Sequence, residues 1–426
     1  MVGSPPRPLP PQPTASPWHL PAASQRPAPP TPPPLPAPVF TAAAKGLDFS
    51  RYRRRYVALH VLYFGGRYQG LARQADSENT IEGHFFAALR HTRLIPPDAE
   101  PSGLQYSRCG RTDRGVSALG QVLALQLRSS GRADDPLAAF YPPRAPAPPS
   151  ARATSSPCNR RALPDDIRVL GWADVPEAFN ARWYKYFVVQ DGGLDLGAMR
   201  EAAAALVGEH DFRNFCKADV LQVRNFRRTI MSVSIDPVPA TAGGCQAYVL
   251  HIRGTAFLWH QVRCIAAVLL MVGRSLEPPS VVASLLDVTR VPSKPQYTLA
   301  PDDPLLLFAC DFKGIPWFRP PRALGRAAGD VRAALARHLV GAAMCGEVLA
   351  ALAPHLAAGG AEGGGGGEEG RGAAAAAAAA GVAGSGGAHI PLLRRAREPS
   401  LEARFERAGI PLELLNRPGQ AGFEAE

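Results

Sequence analysis

No stretch of this chain approaches the roughly 18 uninterrupted apolar residues that a membrane-spanning helix requires. The nearest, residues 264–272, is far too short, so no membrane partner is expected. The N-terminus lacks a hydrophobic signal core. It also lacks acidic residues before Asp48, as transit peptides do, but its prolines would break the amphipathic helix such peptides need. Cysteine is sparse and scattered: the seven thiols never form the close pairs that grip zinc together with nearby histidines. That pattern excludes a zinc module and reads as reduced thiols of an intracellular protein, with nucleus and cytoplasm as the expected compartments. No repeat of fixed short period is visible either.

What is present is basic and rich in proline. A hydrophobic fraction of 46% can supply a sizeable core. However, 44 Pro and 41 Gly are too many for compact structure throughout, so part of the chain must lie outside that core. The net charge of +11 points to a polyanionic partner, nucleic acid first and an anionic membrane surface second, while a mere role in solubility stays open.

Residues 1–50 form a proline-rich segment expected to be extended and disordered. Order should begin at the basic and aromatic cluster Arg51-Tyr52-Arg53-Arg54-Arg55-Tyr56, with a strand over 57–64. Gly65-Gly66 turns the chain, and a polar loop through Tyr68-Gln69-Gly70 follows. Asn79-Thr80-Ile81-Glu82 then reads as a capped helix start, with Ile81, Phe85, Ala88 and Leu89 at helical spacing. A strand over 121–127 puts Leu123, Leu125 and Leu127 on one face. Residues 128–162 turn to Pro, Ala, Ser and Arg and are expected to be an inserted surface loop. Strands at 166–172 and 184–189 lead to a helix over 196–207 ended by Gly208. Two more strands, 229–235 and 247–253, precede a helix running through 257–265 to a stop at Gly273. Its residues Leu258, Val262, Ile265, Leu269 and Val272 make one core-seeking face. The last strand is 305–312. The organisation is thus a first unit over 51–177, a second over 178–315, and a mostly low-complexity tail over 316–426 closed by a basic, partly helical segment around 392–407.

Three stretches carry chemistry. Ser107-Arg108-Cys109-Gly110-Arg111-Thr112-Asp113-Arg114-Gly115-Val116-Ser117 sets one carboxylate among three arginines, with Gly110 and Gly115 free to take unusual backbone angles, directly before an aliphatic strand. Nearby cations favour the ionised form, so Asp113 is expected to be charged, as a nucleophile or a cation's partner. The plain alternative is a residue that ends a turn. The second stretch, His210 to Lys217 with Arg224 to Arg228, interleaves aromatics with cations. It suits stacking on bases and neutralising phosphates, or equally a solvated loop with buried phenylalanines. In the third, Phe257-Leu258-Trp259-His260-Gln261-Val262-Arg263, an arginine beside an apolar stripe must reach solvent or find a carboxylate from elsewhere, while Trp259 and His260 read as packing residues.

The run Arg108 to Ala118 with Gly120-Gln121-Val122 resembles the TruA-type tRNA pseudouridine synthases. So, in the same order, do Tyr63-Phe64-Gly65 with Tyr68-Gln69-Gly70, Asn79-Thr80-Ile81-Glu82, Leu163-Pro164-Asp165-Asp166-Ile167-Arg168-Val169, Tyr184-Lys185-Tyr186 and the 257–263 motif. The phrases at 210–217, Arg228-Thr229-Ile230 and Pro292-Ser293-Lys294-Pro295-Gln296-Tyr297 are most similar to the eukaryotic branch acting on positions 38 and 39 of the anticodon stem. The resemblance implies an α+β fold of two α/β subdomains with antiparallel sheets flanking a basic central cleft, disordered tails and a homodimer. It implies isomerisation of uridine to pseudouridine in tRNA on a flipped-out nucleotide, with no cofactor and no metal.

By position, Asp113 would be the catalytic aspartate, Arg111 would hold the flipped nucleotide, Tyr184 would stack on the base and assist proton transfer, and Arg263 would pair with Asp113. RNA contacts would come from Arg54, Arg55, Tyr68, Gln69, Arg108, Arg114, Arg213, Lys217, Arg227 and Arg228. The chain departs from the family pattern directly before Tyr184, where only Trp183 separates Phe179-Asn180-Ala181-Arg182 from Tyr184-Lys185-Tyr186 and family members have several more residues. A catalytically impaired, tRNA-binding relative is the alternative this shortening raises.

Overall fold

A computed structural model describes residues 47–132, 162–174, 182–190, 193–238, 246–310, 315–359 and 389–417. Most of the proline-rich N-terminal expectation and of the inserted loop, the Phe179-Asn180-Ala181 part of the shortened stretch before Tyr184, and the glycine and alanine runs near 363–380 lie outside these residues. The architecture is α+β. Nine strands, β1 (Tyr52–Tyr63), β2 (Ser107–Arg108), β3 (Ser117–Arg132), β4 (Ile167–Asp174), β5 (Arg182–Gln190), β6 (Gly208–Asp211), β7 (Arg227–Pro237), β8 (Gln246–Gly254) and β9 (Leu305–Cys310), share one sheet. Its order is β4-β1-β3-β9-β5-β8-β7-β6, with the short β2 pairing with β3.

Within each half the pairing is antiparallel, and the two halves meet where β3 and β9 run parallel through Ser117 opposite Leu306 and Ala118 opposite Leu307. Two separate sheets were the expectation. The late strand β9 joins them because β3 on one side and β5 on the other both hydrogen-bond to it, leaving no edge between the halves.

Strand alternation explains the layering. In β1 the residues Val57, Leu59, Val61 and Tyr63 face the main core, while Ala58 and Leu62 point to the opposite side. In β3, Leu123, Leu125 and Leu127 join the main core as their spacing predicts. On the opposite side, the start of α5 (Pro321–Gly359) covers the sheet, with Ala327 and Val331 packed on Leu62 and Leu170. Asp330 accepts a hydrogen bond from Arg168 Nε at 2.8 Å there.

The helices of the main core follow from their caps and apolar spacing. Thr80 Oγ1 accepts from the Gly83 amide at 3.1 Å and starts α1 (Ile81–His91), which buries Ile81, Phe85, Phe86, Ala88 and Leu89. Asp195 caps α2 (Leu196–Ala204) in the same manner, accepting from the Ala198 amide at 2.9 Å. Helix α3 (Gln261–Gly273) differs from expectation. Its sequence predicts one apolar face, yet every residue except Arg263 is buried, because α2, the turn at Arg213–Phe215 and strand β5 pack around it, while α4 (Val281–Leu286) packs on α2 and the same turn.

Beyond 316, α5 is a 39-residue helix, and the basic segment expected to be partly helical carries α6 (Leu401–Arg407); contrary to the expectation of little burial there, 389–417 is packed into the main core through Leu392, Leu401 and Phe405. Buried Glu277 anchors it by accepting from the Leu392 amide at 2.7 Å and pairing with His389 Nε2 at 2.8 Å. From Arg332 to Leu352 α5 is largely exposed. Although no uninterrupted apolar run is long enough, Pro321–Leu352 is, by length and mean hydropathy, apolar enough to cross a membrane, since alanine fills the gaps between its larger residues.

Because Phe405 is fully buried, Phe405→Ala should destabilise the protein by about 3–5 kcal/mol in urea unfolding. A loose tail would show no change.

Candidate active site

Asp113 sits in the loop between β2 and β3, and that loop is held from three sides. Thr112, buried beneath it, bonds Tyr63 through the two hydroxyls at 2.7 Å, and its carbonyl accepts from the Leu71 amide at 3.1 Å. Gln121, fully buried in β3, donates through Nε2 to the Gly110 carbonyl at 2.7 Å, and the Ser117 hydroxyl accepts from the Gly65 amide at 3.0 Å. Gly70, at φ +107°, lies flat against the loop: a Cβ there would stand 3.0 Å from the Thr112 carbonyl oxygen and 3.3 Å from Asp113 C. Of the two loop glycines expected to take unusual angles, Gly115 does, at φ +80°, facing the Asp302 carboxylate, whereas Gly110 keeps an ordinary backbone.

The surroundings of Asp113 come from the other half of the sheet. Trp259 Nε1 donates to Asp113 Oδ1 at 3.1 Å, and His260 Nε2 stands 3.4 Å from Oδ2. Lys217 lies with Nζ 4.4 Å over the Trp259 ring. Arg263, which the resemblance pairs with Asp113, donates through Nε to the Ala300 carbonyl at 2.8 Å and places Nη1 3.8 Å from Asp302 Oδ2. Its contact carboxylate is therefore Asp302, and its charge acts on Asp113 from a distance. Trp259 and His260, read from sequence as packing residues, touch the carboxylate because the chain enters α3 through a left-handed residue, His260 at φ +60°. Helical spacing alone gave no signal for that; the adjacent motif residue Arg263 was the available hint.

Electrostatics also differ from the sequence reading. Arginines around Asp113 were expected to favour its charged form, but burial of the side chain raises its pKa above the ordinary value, opposed by Arg263 and the Trp259 N–H. The loop arginines do not contribute because Arg108 turns inward to Glu82 at 2.7 Å, where Tyr106 also donates at 2.6 Å, while Arg111 and Arg114 point to solvent. Burial, then Arg263, Lys217 and Lys294, holds the His260 ring down to about 4, so it is neutral at pH 7.

Tyr184 is buried in β5, paired with Leu307 of β9, its ring edge-on to Phe257 at 5.0 Å. Two strand spacings, about 10 Å, separate its backbone from Ala118 at the start of β3.

The expected RNA-binding residues divide into two groups. Arg54, Arg111, Arg114, Lys217 and Arg227 are exposed, Arg227 near Glu209 at 3.4 Å. The others are committed within the fold. Arg55 bonds Asp174 and stacks on Trp172, and buried Tyr68 donates to Asp166. Buried Arg213 is held between Asp211 at 2.8 Å and Glu402 at 2.9 Å, and buried Arg228 donates to the Asn225 and Arg227 carbonyls. Gln69 is half-buried, its carbonyl accepting from Gln74 at 2.8 Å. Phe212, Phe215 and Phe226 are likewise buried, so the interleaved stretch presents cations to solvent but no aromatic face. A buried guanidinium bound to carboxylates supports the fold and cannot also neutralise a phosphate.

The tRNA pseudouridine synthase family profile matches residues 202–313, which include Trp259, His260, Arg263 and Asp302. A human tRNA pseudouridine(38/39) synthase is 41% identical over 289 residues, covering 64% of this chain and 59% of the relative. Its counterpart in Saccharomyces cerevisiae is 39% identical over 288 residues, covering 65% and 62%. The chain thus spans less than two thirds of the length of these relatives. A tRNA pseudouridine synthase A from Methanothrix thermoacetophila is 32% identical over 268 residues, with 61% of this chain and 85% of the relative covered.

A carboxylate whose folded pKa is raised is protonated more readily in the native than in the unfolded state. Its ionisation therefore lowers stability as pH rises through that window. Asp113→Asn should accordingly raise the melting temperature at pH 7 and leave it unchanged near pH 3, where the aspartate is protonated in both states.

Proposed function

This chain belongs to the tRNA pseudouridine synthases, and on that premise we propose that it isomerises uridine to pseudouridine in tRNA, at positions 38 and 39 as its relatives' names state. The observation that carries the reading is the Asp113 carboxylate. It is only 27% exposed, on a loop clamped on three sides, with exposed Arg111, Arg114 and Lys217 close to it in chain or space.

The chemistry requires the C1′–N1 bond to break and the base to rejoin through C5, losing the C5 proton. A half-buried carboxylate can serve as the nucleophile that carries the detached fragment. A proton acceptor must then stand beside the base, the role proposed for Tyr184. The target must leave its stack at a cost of a few kcal/mol, which cations on the backbone offset; this role is proposed for Arg111, which is exposed. The proposal assigns one subdomain to each antiparallel half of the sheet and the basic cleft to the junction between them; the support for it is the approach of Asp113 to the entry of α3. The remaining parts of the proposal are a homodimer, checked by sedimentation, and residence in nucleus and cytoplasm, checked by imaging a tagged chain.

Incubation with unmodified tRNA followed by carbodiimide primer extension should show pseudouridine at positions 38 and 39 for the wild type, and Asp113→Asn should reduce it to background. Tight tRNA binding with an empty map for the wild type would instead establish the impaired relative that the shortening before Tyr184 suggests. The salt dependence of tRNA affinity should separate the two groups of arginines. Arg114→Ala should lower the slope of log K against log salt by roughly one, whereas Arg213→Ala should act through stability.

A further inference from the structure

Strands β2 and β9 share one edge of β3. The other edge of β3 is taken by β1, which pairs with Ala118 and Leu123 alike. On the shared edge β9 lies parallel to β3 at Ser117 and Ala118, while β2 lies antiparallel to it at Leu123 and Ala124. The two strands therefore run toward each other and end head to head near Gln121 and Val122. The close approach of β9 requires a residue without a side chain in β3: a Cβ at Gly120 would stand 2.5 Å from the Ala309 Cα. The Cys109 amide donates to the Val122 carbonyl at 2.9 Å and carries the β2 ladder on by one residue.

A cysteine stands at the end of each strand. Cys109 follows β2 directly, and Cys310 is the last residue of β9. Their thiols meet at the joint, Sγ to Sγ at 2.6 Å, although the two residues are 201 apart in the chain. Both pack against Ala58, Val122 and Ala124, and both are half-buried, which leaves them within reach of a small solute. Because two strands of one sheet hold the sulfurs together, a bond of about 2.0 Å needs adjustment of the side chains and not of the strands.

We infer that Cys109 and Cys310 are a reversible redox pair, a modification site at which a low-molecular-weight disulfide converts two thiols into a bond tying the Asp113 loop to β9. One protein thiolate attacks a sulfur of the small disulfide and releases one small thiolate. The second protein thiolate attacks the resulting mixed disulfide and releases the other. The protein sulfurs lose two electrons, the small disulfide gains them, and the two protons given up by Cys109 and Cys310 end on the released thiolates. The tie closes beside the parallel ladder that joins the halves of the sheet, which is only Ser117–Leu306 and Ala118–Leu307. Closing so long a loop restricts the unfolded chain, so the oxidised protein is the more stable form. The inference goes beyond the proposed isomerisation and does not depend on it.

The test equilibrates the full chain with mixtures of reduced and oxidised glutathione, followed by alkylation, digestion and mass-spectrometric mapping. Exposed Cys345, as its mixed disulfide with glutathione, reports within the same sample that oxidising conditions were reached. Peptides joined through Cys109 and Cys310 should form, and dithiothreitol should separate them. In Cys109→Ser or Cys310→Ser the remaining thiol should stop at a lasting mixed disulfide. Oxidation should raise the melting temperature of the wild type by roughly 5–10 °C and slow amide exchange from Gly110 to Val116, and do neither in Cys109→Ser. Cys109 and Cys310 both still alkylated where Cys345 carries glutathione, or Cys109 joined to any other cysteine, overturns the pair. None of these readouts uses pseudouridine formation, so an inactive wild type overturns the proposed function and leaves the pair standing.

Discussion

The parallel pairing of Ser117 and Ala118 with Leu306 and Leu307 is the constraint on which the rest of the molecule depends. Parallel neighbours need a long connection between them, and here it runs through β4 and then β5 to β8 with α2, α3 and α4. By closing back onto β3 with a late strand, the chain brings the entry to α3 against a loop almost 150 residues earlier, as the Trp259 to Asp113 bond records. Asp302, three residues before β9, arrives by the same route and receives Arg263. Without this junction Asp113 would sit on a solvated surface turn.

Burial and charge oppose each other at that carboxylate, and their balance sets its properties. The local sequence surrounds Asp113 with arginines, yet Arg108 is drawn into a buried pair with Glu82 while Arg111 and Arg114 extend into solvent. What remains near the oxygens is the indole N–H, a neutral imidazole and a guanidinium one carboxylate away. A group removed from water, with directional but uncharged contacts, holds its orientation at a cost in stability. The same division runs through the other cations: Arg168, Arg213 and Arg228 stabilise loops from inside, while Arg54, Lys217 and Arg227 supply positive surface. Net charge alone does not distinguish these roles.

The C-terminal region shows how far composition can mislead. Segment 389–417 is arginine-rich, but Leu392, Leu401 and Phe405 are buried in the main core, and its polar groups meet Glu277, Asp211 and Lys294. A few anchors suffice when the body already offers the complementary surface. Helix α5 is the converse case. Its alanine-rich sequence favours a helix, while only its first turns find apolar residues to pack against.

Period-two alternation, the Thr80 cap and the Leu123-Leu125-Leu127 face were legible in the chain because they depend on neighbours within a few residues. The same holds for the prominence of Asp113, whose glycine-flanked loop and following strand form a local pattern, and for the net basic character. The sequence by itself thus determined most of the elements and which residue to suspect. Tertiary structure decided that two expected sheets are one, that α3 is buried all round, and which arginines are structural. It also decided that Trp259 and His260 face the carboxylate. Each of these depends on contacts between residues far apart in the chain, and on one left-handed backbone angle at His260 that no side-chain periodicity encodes.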